Sequence, residues 1–157
     1  MGKVYRLIRT QNLPMPLEEA WQFFSDPRNL KVITPPHLGF KILSELDGKM
    51  KEGQLIRYKV KPLLGIPLTW VTRICEVEEG KHFADEQLKG PYQLWYHRHY
   101  FEVIPGGVAM KDVIDYSLPL GWLGQLAHWL FVKRQVESIF EFRKKVLDEK
   151  FGEFPKT

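Results

Sequence analysis

The chain has 157 residues and a mass of 18.5 kDa, with 44% hydrophobic and 27% charged residues. These proportions suit one globular domain with an apolar core and exclude a disordered or collagen-like chain. The net charge of +4 comes from 23 basic and 19 acidic residues mixed along the chain. Because duplex-DNA binders cluster their basic residues on one face, we expect no nucleic-acid partner.

Targeting and redox features are few. Cys75 is the only cysteine, which excludes an intrachain disulfide and an all-cysteine zinc site. The N-terminus lacks the uninterrupted apolar run of a signal peptide. The most apolar stretch, residues 118–132, contains Gln125 and His128 and is too short to span a bilayer comfortably. We therefore expect a cytoplasmic protein without stable membrane anchoring.

The first third of the chain predicts one strand and two short helices. Residues 4–13 alternate β-branched and polar side chains in the manner of a strand. Pro16 then opens a helix whose apolar residues recur at helical spacing. Asp26 and Pro27 start a second short helix, with aspartate as the cap and proline at the first helical position.

From residue 40 onward the apolar period changes to two, and short turns rich in glycine and proline separate the segments. This pattern predicts six further strands, at residues 40–44, 55–61, 67–77, 82–88, 92–103 and 108–118. After Pro119 and Gly121 the helical period returns and predicts one long helix that ends near Lys150.

This order of elements constrains the architecture. Strands linked by hairpins form an antiparallel sheet with one face available for packing, and only the terminal helix is long enough to cover that face. We therefore expect an α+β helix-grip fold, in which a curved antiparallel sheet of about seven strands wraps around the C-terminal helix. The two short helices after the first strand close one end.

The order of elements resembles the START-like, or Bet v 1-like (SRPBCC), superfamily over nearly the whole chain. Local segments are similar to its bacterial ligand-binding and polyketide cyclase/dehydrase-like members: Pro35-Pro36 with Phe40, Gly65-Ile66-Pro67 with Trp70, the run from Phe83 to Gln87, Gly90-Pro91-Tyr92, and the run from Trp95 to Phe101. The resemblance implies that residues 1–157 form a single START-like ligand-binding domain with a deep cavity between helix and sheet. It implies no particular reaction, because the superfamily includes carriers, receptors, enzymes and co-chaperones.

The strand at 92–103 carries the most informative side chains. Trp95, His97, His99 and Phe101 share one face, and we place that face inward because Arg98 on the other face belongs in water. Two imidazoles would then lie in a mostly apolar cavity, able to exchange hydrogen bonds with a ligand. The alternative is that neighbouring side chains satisfy both rings, or that they lie near the rim.

Carboxylates on adjacent strands complete the predicted site. Asp85 or Asp112 beside an imidazole would make an acid/base pair, whereas the plainer alternative is a buried contact with Arg73 or Tyr58. The residues that we expect to contact a ligand on the concave face are Tyr58, Trp70, Phe83, Asp85, Gln87, Trp95, His97, His99, Phe101, Met110, Asp112 and Tyr116.

His97 and His99 also have the spacing of two metal ligands on one strand. Asp85, Gln87 or Asp112 could in principle add a third ligand. A His-x-His pair without a second metal-binding motif is a weak signal, so we expect neither a metal nor a cofactor.

Two apolar segments are unusual for surface positions. The hairpin loop carries Leu63, Leu64, Gly65 and Ile66, which either pack on the terminal helix or form a lid over an opening. In the hormone receptors of the superfamily the corresponding loop closes over bound ligand, and the resemblance favours a lid.

The second segment is the start of the terminal helix. We expect most of its apolar residues to be core, and the surplus aromatic residues to form a cavity mouth or a dimer contact rather than a membrane-docking edge with Lys133 and Arg134, because basic residues are few. The apolar residues are Trp122, Leu123, Leu126, Trp129, Leu130 and Phe131.

Three classes of function remain. The prediction that needs least is a carrier or sensor, monomeric or homodimeric, that binds a small, mostly apolar molecule of lipid, polyketide or aromatic type. A polyketide cyclase, aromatase or dehydratase would in addition need an acid and a base among the cavity histidines and carboxylates. A regulatory interaction module would use the surface instead.

Overall fold

A computed structural model describes residues 2–46, 48–62 and 65–156. The strands are β1 (Val4–Leu13), β2 (Lys41–Ile42), β3 (Leu55–Val60), β4 (Leu68–Glu78), β5 (His82–Lys89), β6 (Leu94–Ile104) and β7 (Gly107–Ser117). The α-helices are α1 (Leu17–Phe24), α2 (Gly121–Ala127) and α3 (Lys133–Phe151). Two short 3₁₀ turns, Pro27–Lys31 and Pro36–Leu38, follow α1, and a π-helical turn, His128–Val132, joins α2 to α3.

The seven strands form one antiparallel sheet in the order β1-β7-β6-β5-β4-β3-β2. The first strand pairs with the last along its whole length, from Val4 opposite Ser117 to Leu13 opposite Val108. All other neighbours in the sheet are consecutive in the chain, as hairpin connections require. The strand prediction and the helix-grip fold are confirmed.

The C-terminal helical segment packs on the sheet through its second half. The buried residues of α3 are Val136, Phe140, Arg143 and Leu147, which recur every three or four positions and therefore share one face. By contrast, Gly124 is the buried residue of α2, and a Cβ added there would clash with the Pro119 carbonyl oxygen.

Two apolar clusters form the core, and a polar layer separates them. The larger cluster includes Phe101 of β6, Met110 of β7 and Leu147 of α3, whereas the smaller includes Ile114 and Phe140. Four buried polar residues lie between the two clusters: His97 and His99 on β6, Asp112 on β7 and Arg143 on α3. The sheet and helix thus enclose a band of polar side chains within the apolar interior.

Two details differ from the sequence prediction. The second short helix is a 3₁₀ turn, Pro27–Lys31, which the Asp26 side chain caps through the Arg28 amide. The expectation that most of the apolar residues at the start of the terminal helix are core is wrong, because Leu123, Leu126 and Leu130 are each 47% exposed. Helical spacing identifies an apolar face but not whether that face packs inward.

Candidate functional site

A cavity of about 190 Å³ lies between the sheet, the 3₁₀ turns and α3. This volume is many times the roughly 10–15 Å³ that one buried water needs, so the cavity has room for a small organic molecule. Seven of the twelve predicted residues line it: Tyr58, Trp70, Phe83, Asp85, Trp95, His97 and His99.

Aromatic side chains form one wall of the cavity. The Trp70 ring stacks with Tyr58 at 5.9 Å between centroids and meets Trp95 edge-on at 5.5 Å. Its indole Nε1 is buried and has no hydrogen-bond partner among the described residues. Since an unpaired buried donor costs about 1–3 kcal/mol, this N–H is available to an acceptor on a ligand.

Histidine and carboxylate groups form the polar side of the cavity. Asp112 Oδ1 lies 2.7 Å from His97 Nε2 and 3.2 Å from His99 Nδ1, but the second contact is not aligned as a hydrogen bond. Asp85 Oδ2 lies 3.0 Å from His99 Nε2, and the two imidazole rings stack at 3.7 Å between centroids. Arg143 Nη1 lies 3.4 Å from Asp112 Oδ1 and contributes the balancing positive charge.

Strand register brings these groups together. His97 and His99 share the inner face of β6 because they are two residues apart. Asp85 is paired with His97 across β5 and β6, and Asp112 with His99 across β6 and β7. The polar group is therefore fixed by two ladders of the sheet and by one residue of α3.

The buried charges shift one another's ionisation. Burial alone would raise the pKa of Asp112, but the charge of Arg143 and contacts with both histidines hold that pKa well below its usual range. Burial and the neighbouring His99 lower the pKa of His97. Burial also opposes the charged form of His99, yet its contacts with Asp112 and Asp85 outweigh burial and raise its pKa. A proton added to the pair therefore resides on His99.

These shifts assign a role to each nitrogen of His97. Asp112 is ionised, so the short contact requires the proton on Nε2, which donates to the carboxylate. Nδ1 then carries a lone pair and has no hydrogen-bond partner among the described residues. Chemically, this nitrogen can accept a hydrogen bond or a proton from a molecule in the cavity.

The same side chains could hold a metal ion. Asp85, His97 and His99 offer ligand atoms that all lie within 4.8 Å of one another. Two imidazoles and one carboxylate form the set that non-haem iron and zinc sites use. The hydrogen bonds of both imidazoles go to Asp112 and Asp85, and the expectation of no metal remains a prediction.

Five predicted site residues do not line the cavity. Phe101 and Met110 lie within the larger apolar cluster, and Tyr116 lies within the smaller one, where its hydroxyl contacts His128 Nε2 at 2.9 Å. Asp112 lies behind the two histidines, and the Gln87 side chain instead bridges the next turn through the Tyr92 backbone. Side-chain alternation identifies the inner face of a strand but not how far the cavity extends along it.

Arg143 is the residue of the polar layer that sequence reasoning missed, and it lines the cavity. Its side chain is buried, and its guanidinium also contacts the faces of Phe24 and Phe140. The available signal was its position on the apolar face of α3, in phase with Val136 and Phe140. A charged residue there breaks the amphipathic pattern and therefore requires a buried counter-charge.

Gly65 and Ile66 are the described residues of the predicted lid; Leu63 and Leu64 lie outside the described residues. Ile66 is exposed. The preceding Pro62 lines the cavity, and its carbonyl oxygen accepts a hydrogen bond from Gln135 Nε2 of α3. The base of the loop is thus tied to the helix beside the cavity, and closure over a ligand remains a prediction.

Among the described residues, no helix is both long enough and apolar enough to cross a membrane.

Comparison with known proteins adds information at the level of fold. No protein-family model matches the chain. No curated protein matches it significantly. Among solved structures, the Zhui aromatase/cyclase from Streptomyces sp. R1128 matches 94% of this chain and 93% of its own, with a TM-score of 0.72 and 16% identity.

Two further solved structures support the same fold. A START superfamily protein from Mycobacterium smegmatis matches 93% of this chain and 96% of its own, with a TM-score of 0.69 and 15% identity. Ara h 8.0201 matches 94% of this chain and 99% of its own, with a TM-score of 0.58 and 14% identity. The chain therefore has the START-like, Bet v 1-like fold, as the sequence resemblance implied.

Proposed function

We propose that the chain binds a small, mostly apolar molecule of lipid, polyketide or aromatic type in this cavity, as a carrier or sensor. The observation that carries the proposal is a cavity of about 190 Å³ with an aromatic wall on one side and a compact polar group on the other. Such a combination gives affinity through apolar burial and orientation through a few hydrogen bonds.

The proposed ligand carries at least one oxygen atom. The unpaired Trp70 Nε1 needs an acceptor, and the free Nδ1 of His97 needs a donor or a proton. A carbonyl or hydroxyl group on an otherwise apolar skeleton provides both kinds of partner. We place the apolar part against Tyr58 and Trp95, and the oxygen toward Trp70 or the histidines.

The direct test compares the binding of the fluorescent probe anilinonaphthalene sulfonate to the wild type and to two variants. Ile139→Trp adds bulk on the α3 side of the cavity, and we expect it to abolish probe binding. Ser138→Trp is the matched control, because Ser138 is exposed on the same helix and does not line the cavity. Equal probe affinity in both folded variants would contradict internal binding.

A second candidate function is acid/base catalysis of the cyclase, aromatase or dehydratase type. The observation that favours it is the neutral His97, whose Nε2–H is held by Asp112 while Nδ1 faces no protein partner among the described residues. That arrangement resembles an oriented general base. Turnover experiments on histidine variants separate the two functions and are described in the Discussion.

A further inference from the structure

The start of the C-terminal helix exposes an unusually apolar surface. We define this surface, the apolar patch, as the seven large apolar side chains between residues 120 and 131 that are 47% to 76% exposed: Leu120, Trp122, Leu123, Leu126, Trp129, Leu130 and Phe131. Single exposed apolar residues are common, but a contiguous group of this size marks an interaction surface.

The backbone under the patch is irregular. Leu120 is the non-glycine residue with a positive φ, 69°, among the described residues, and its side chain is 76% exposed. The π-helical turn His128–Val132 then shifts the helical register within the patch. Such departures from regular geometry are over-represented at functional positions.

Basic residues border the patch, and Glu137 is the first acidic residue that follows it. No acidic residue occurs between Asp115 and Glu137, whereas Lys133 and Arg134 follow the patch directly and are exposed. Lys3, which precedes β1, is exposed too, and its ammonium lies 5.3 Å from the centroid of the Tyr5 ring that stacks on His128. A basic border around an apolar surface complements an anionic, apolar partner.

The patch also lies next to the cavity. Gln135, which lines the cavity, follows Phe131 by one turn, or about 6 Å along the helix. Gln135 in turn contacts Pro62 at the base of the loop that carries the exposed Ile66. An object that covers the patch therefore lies one helical turn from a residue that lines the cavity.

We propose that the apolar patch docks reversibly on an anionic membrane surface. Tryptophan prefers the boundary between headgroups and acyl chains, and the basic border attracts anionic headgroups. Three basic residues give weak attraction, so docking is transient. Docking brings the cavity rim to the bilayer for ligand exchange, a second step that rests on the proposed function.

The test is co-sedimentation of the full chain with vesicles of phosphatidylcholine containing about a quarter phosphatidylglycerol, against phosphatidylcholine alone. We expect binding to the anionic vesicles that weakens with salt. Because docking buries both indole rings in apolar surroundings, the double variant Trp122→Ser/Trp129→Ser should bind at least about tenfold more weakly. Lys133→Gln/Arg134→Gln should lose the preference for the anionic vesicles.

Matched controls separate the patch from general surface effects. Val103→Ser removes another exposed apolar side chain, and Arg57→Gln/Lys59→Gln removes two exposed basic residues of β3. Both should bind vesicles like the wild type. Equal binding by patch variants and controls would overturn the proposal.

Oligomeric state and cavity binding complete the test. We expect sedimentation equilibrium to give the mass of a monomer. In a monomer both tryptophans of the patch stay exposed. A dimer that Trp122→Ser/Trp129→Ser dissociates, together with absent vesicle binding, would assign the patch to a second copy and overturn membrane docking.

Retained binding of anilinonaphthalene sulfonate without vesicle binding would reject docking alone. Vesicle binding by a chain that binds no probe would reject the proposed cavity function alone.

Discussion

The molecule carries two surfaces rich in aromatic and aliphatic side chains, one enclosed and one open. The cavity is covered by α3, which packs on the sheet through Val136, Phe140, Arg143 and Leu147. The apolar patch lies on α2 and the π-helical turn, whose buried residues are Gly124 and His128. Similar residue types at helical spacing thus become core in one half of the segment and surface in the other. The inward side of the first half carries Gly124 and His128, so its large apolar side chains lie on the outer side.

The two surfaces also differ in how they treat charge. At the polar side of the cavity, Asp112 and Arg143 are both buried and lie 3.4 Å apart, with two histidines that complete the group. Around the patch, exposed Lys133 and Arg134 have no acidic neighbour in sequence before Glu137. The charges of the inner surface therefore balance one another, whereas the basic residues beside the outer surface are available to an anionic partner.

The largest expected difference between the two surfaces is in stability. Phe101→Ala removes a ring from the larger apolar cluster and should lower the free energy of unfolding by about 3–5 kcal/mol. Trp129→Ala removes an even larger side chain, but one that is 76% exposed, and should change it by no more than about 0.5 kcal/mol. Urea unfolding measures both. Similar losses would show that the patch is packed.

The next effect concerns the buried charges. Arg143→Met leaves Asp112 without its guanidinium, and loss of one partner of a buried pair costs about 3 kcal/mol or more. Lys144→Met on the same helix removes a surface contact with Asp148 and should cost less than about 1 kcal/mol.

A double variant makes this prediction specific to charge. Asp112→Asn combined with Arg143→Met should recover part of the loss, because no unpaired charge stays buried. An equal or larger loss in the double variant would mean that Arg143 acts through packing alone.

How much of this could be predicted from sequence differs between the two surfaces. Period-two alternation identified the inner faces of β3 to β6, so seven cavity residues were found without a structure. Met110 and Tyr116 were misplaced because the apolar clusters occupy the two ends of that face. Arg143 was missed because a lone charge on a helix ordinarily lies in water. Most of the patch was assigned to the core, with the surplus aromatic residues at a cavity mouth or dimer contact, because helical spacing does not show which side of a helix packs inward.

The third prediction separates carrier from enzyme at the polar side of the cavity. His97→Gln and His99→Gln each keep a hydrogen-bonding group, so a carrier should lose only several-fold in ligand affinity, about 1 kcal/mol. If His97 is a general base, glutamine cannot take the proton, and turnover should fall about a hundredfold or more with binding retained. We expect the carrier pattern, with no turnover of ring-forming or dehydrating polyketide-like substrates by the wild type. Turnover that His97→Gln removes while binding persists would establish the enzyme instead.

The smallest effect concerns His128 of the π-helical turn, which is buried under the patch. Its ring stacks on Tyr5 with 3.4 Å between centroids and contacts the Tyr116 hydroxyl. Burial, with the charges of Lys133 and Lys3, lowers the pKa of His128 below its ordinary value of 6.5. A lowered pKa means that the unfolded chain binds the proton more tightly. The stability that His128 contributes is therefore complete above pH 6.5 and decreases as the pH falls below it.

His128→Gln keeps a hydrogen-bonding group for Tyr116 but cannot titrate. We expect urea unfolding at about pH 7.5 and about pH 5.5 to show a smaller loss of stability on acidification in this variant than in the wild type. His97 shifts in the same direction as His128, whereas the raised pKa of His99 gives stability that is present below pH 6.5 and is lost as the pH rises through that pKa. Because both cavity histidines are unchanged in the variant, the difference between the two proteins isolates His128. An identical loss of stability on acidification in both proteins would show that protonation of His128 does not destabilise the fold, and would contradict this prediction.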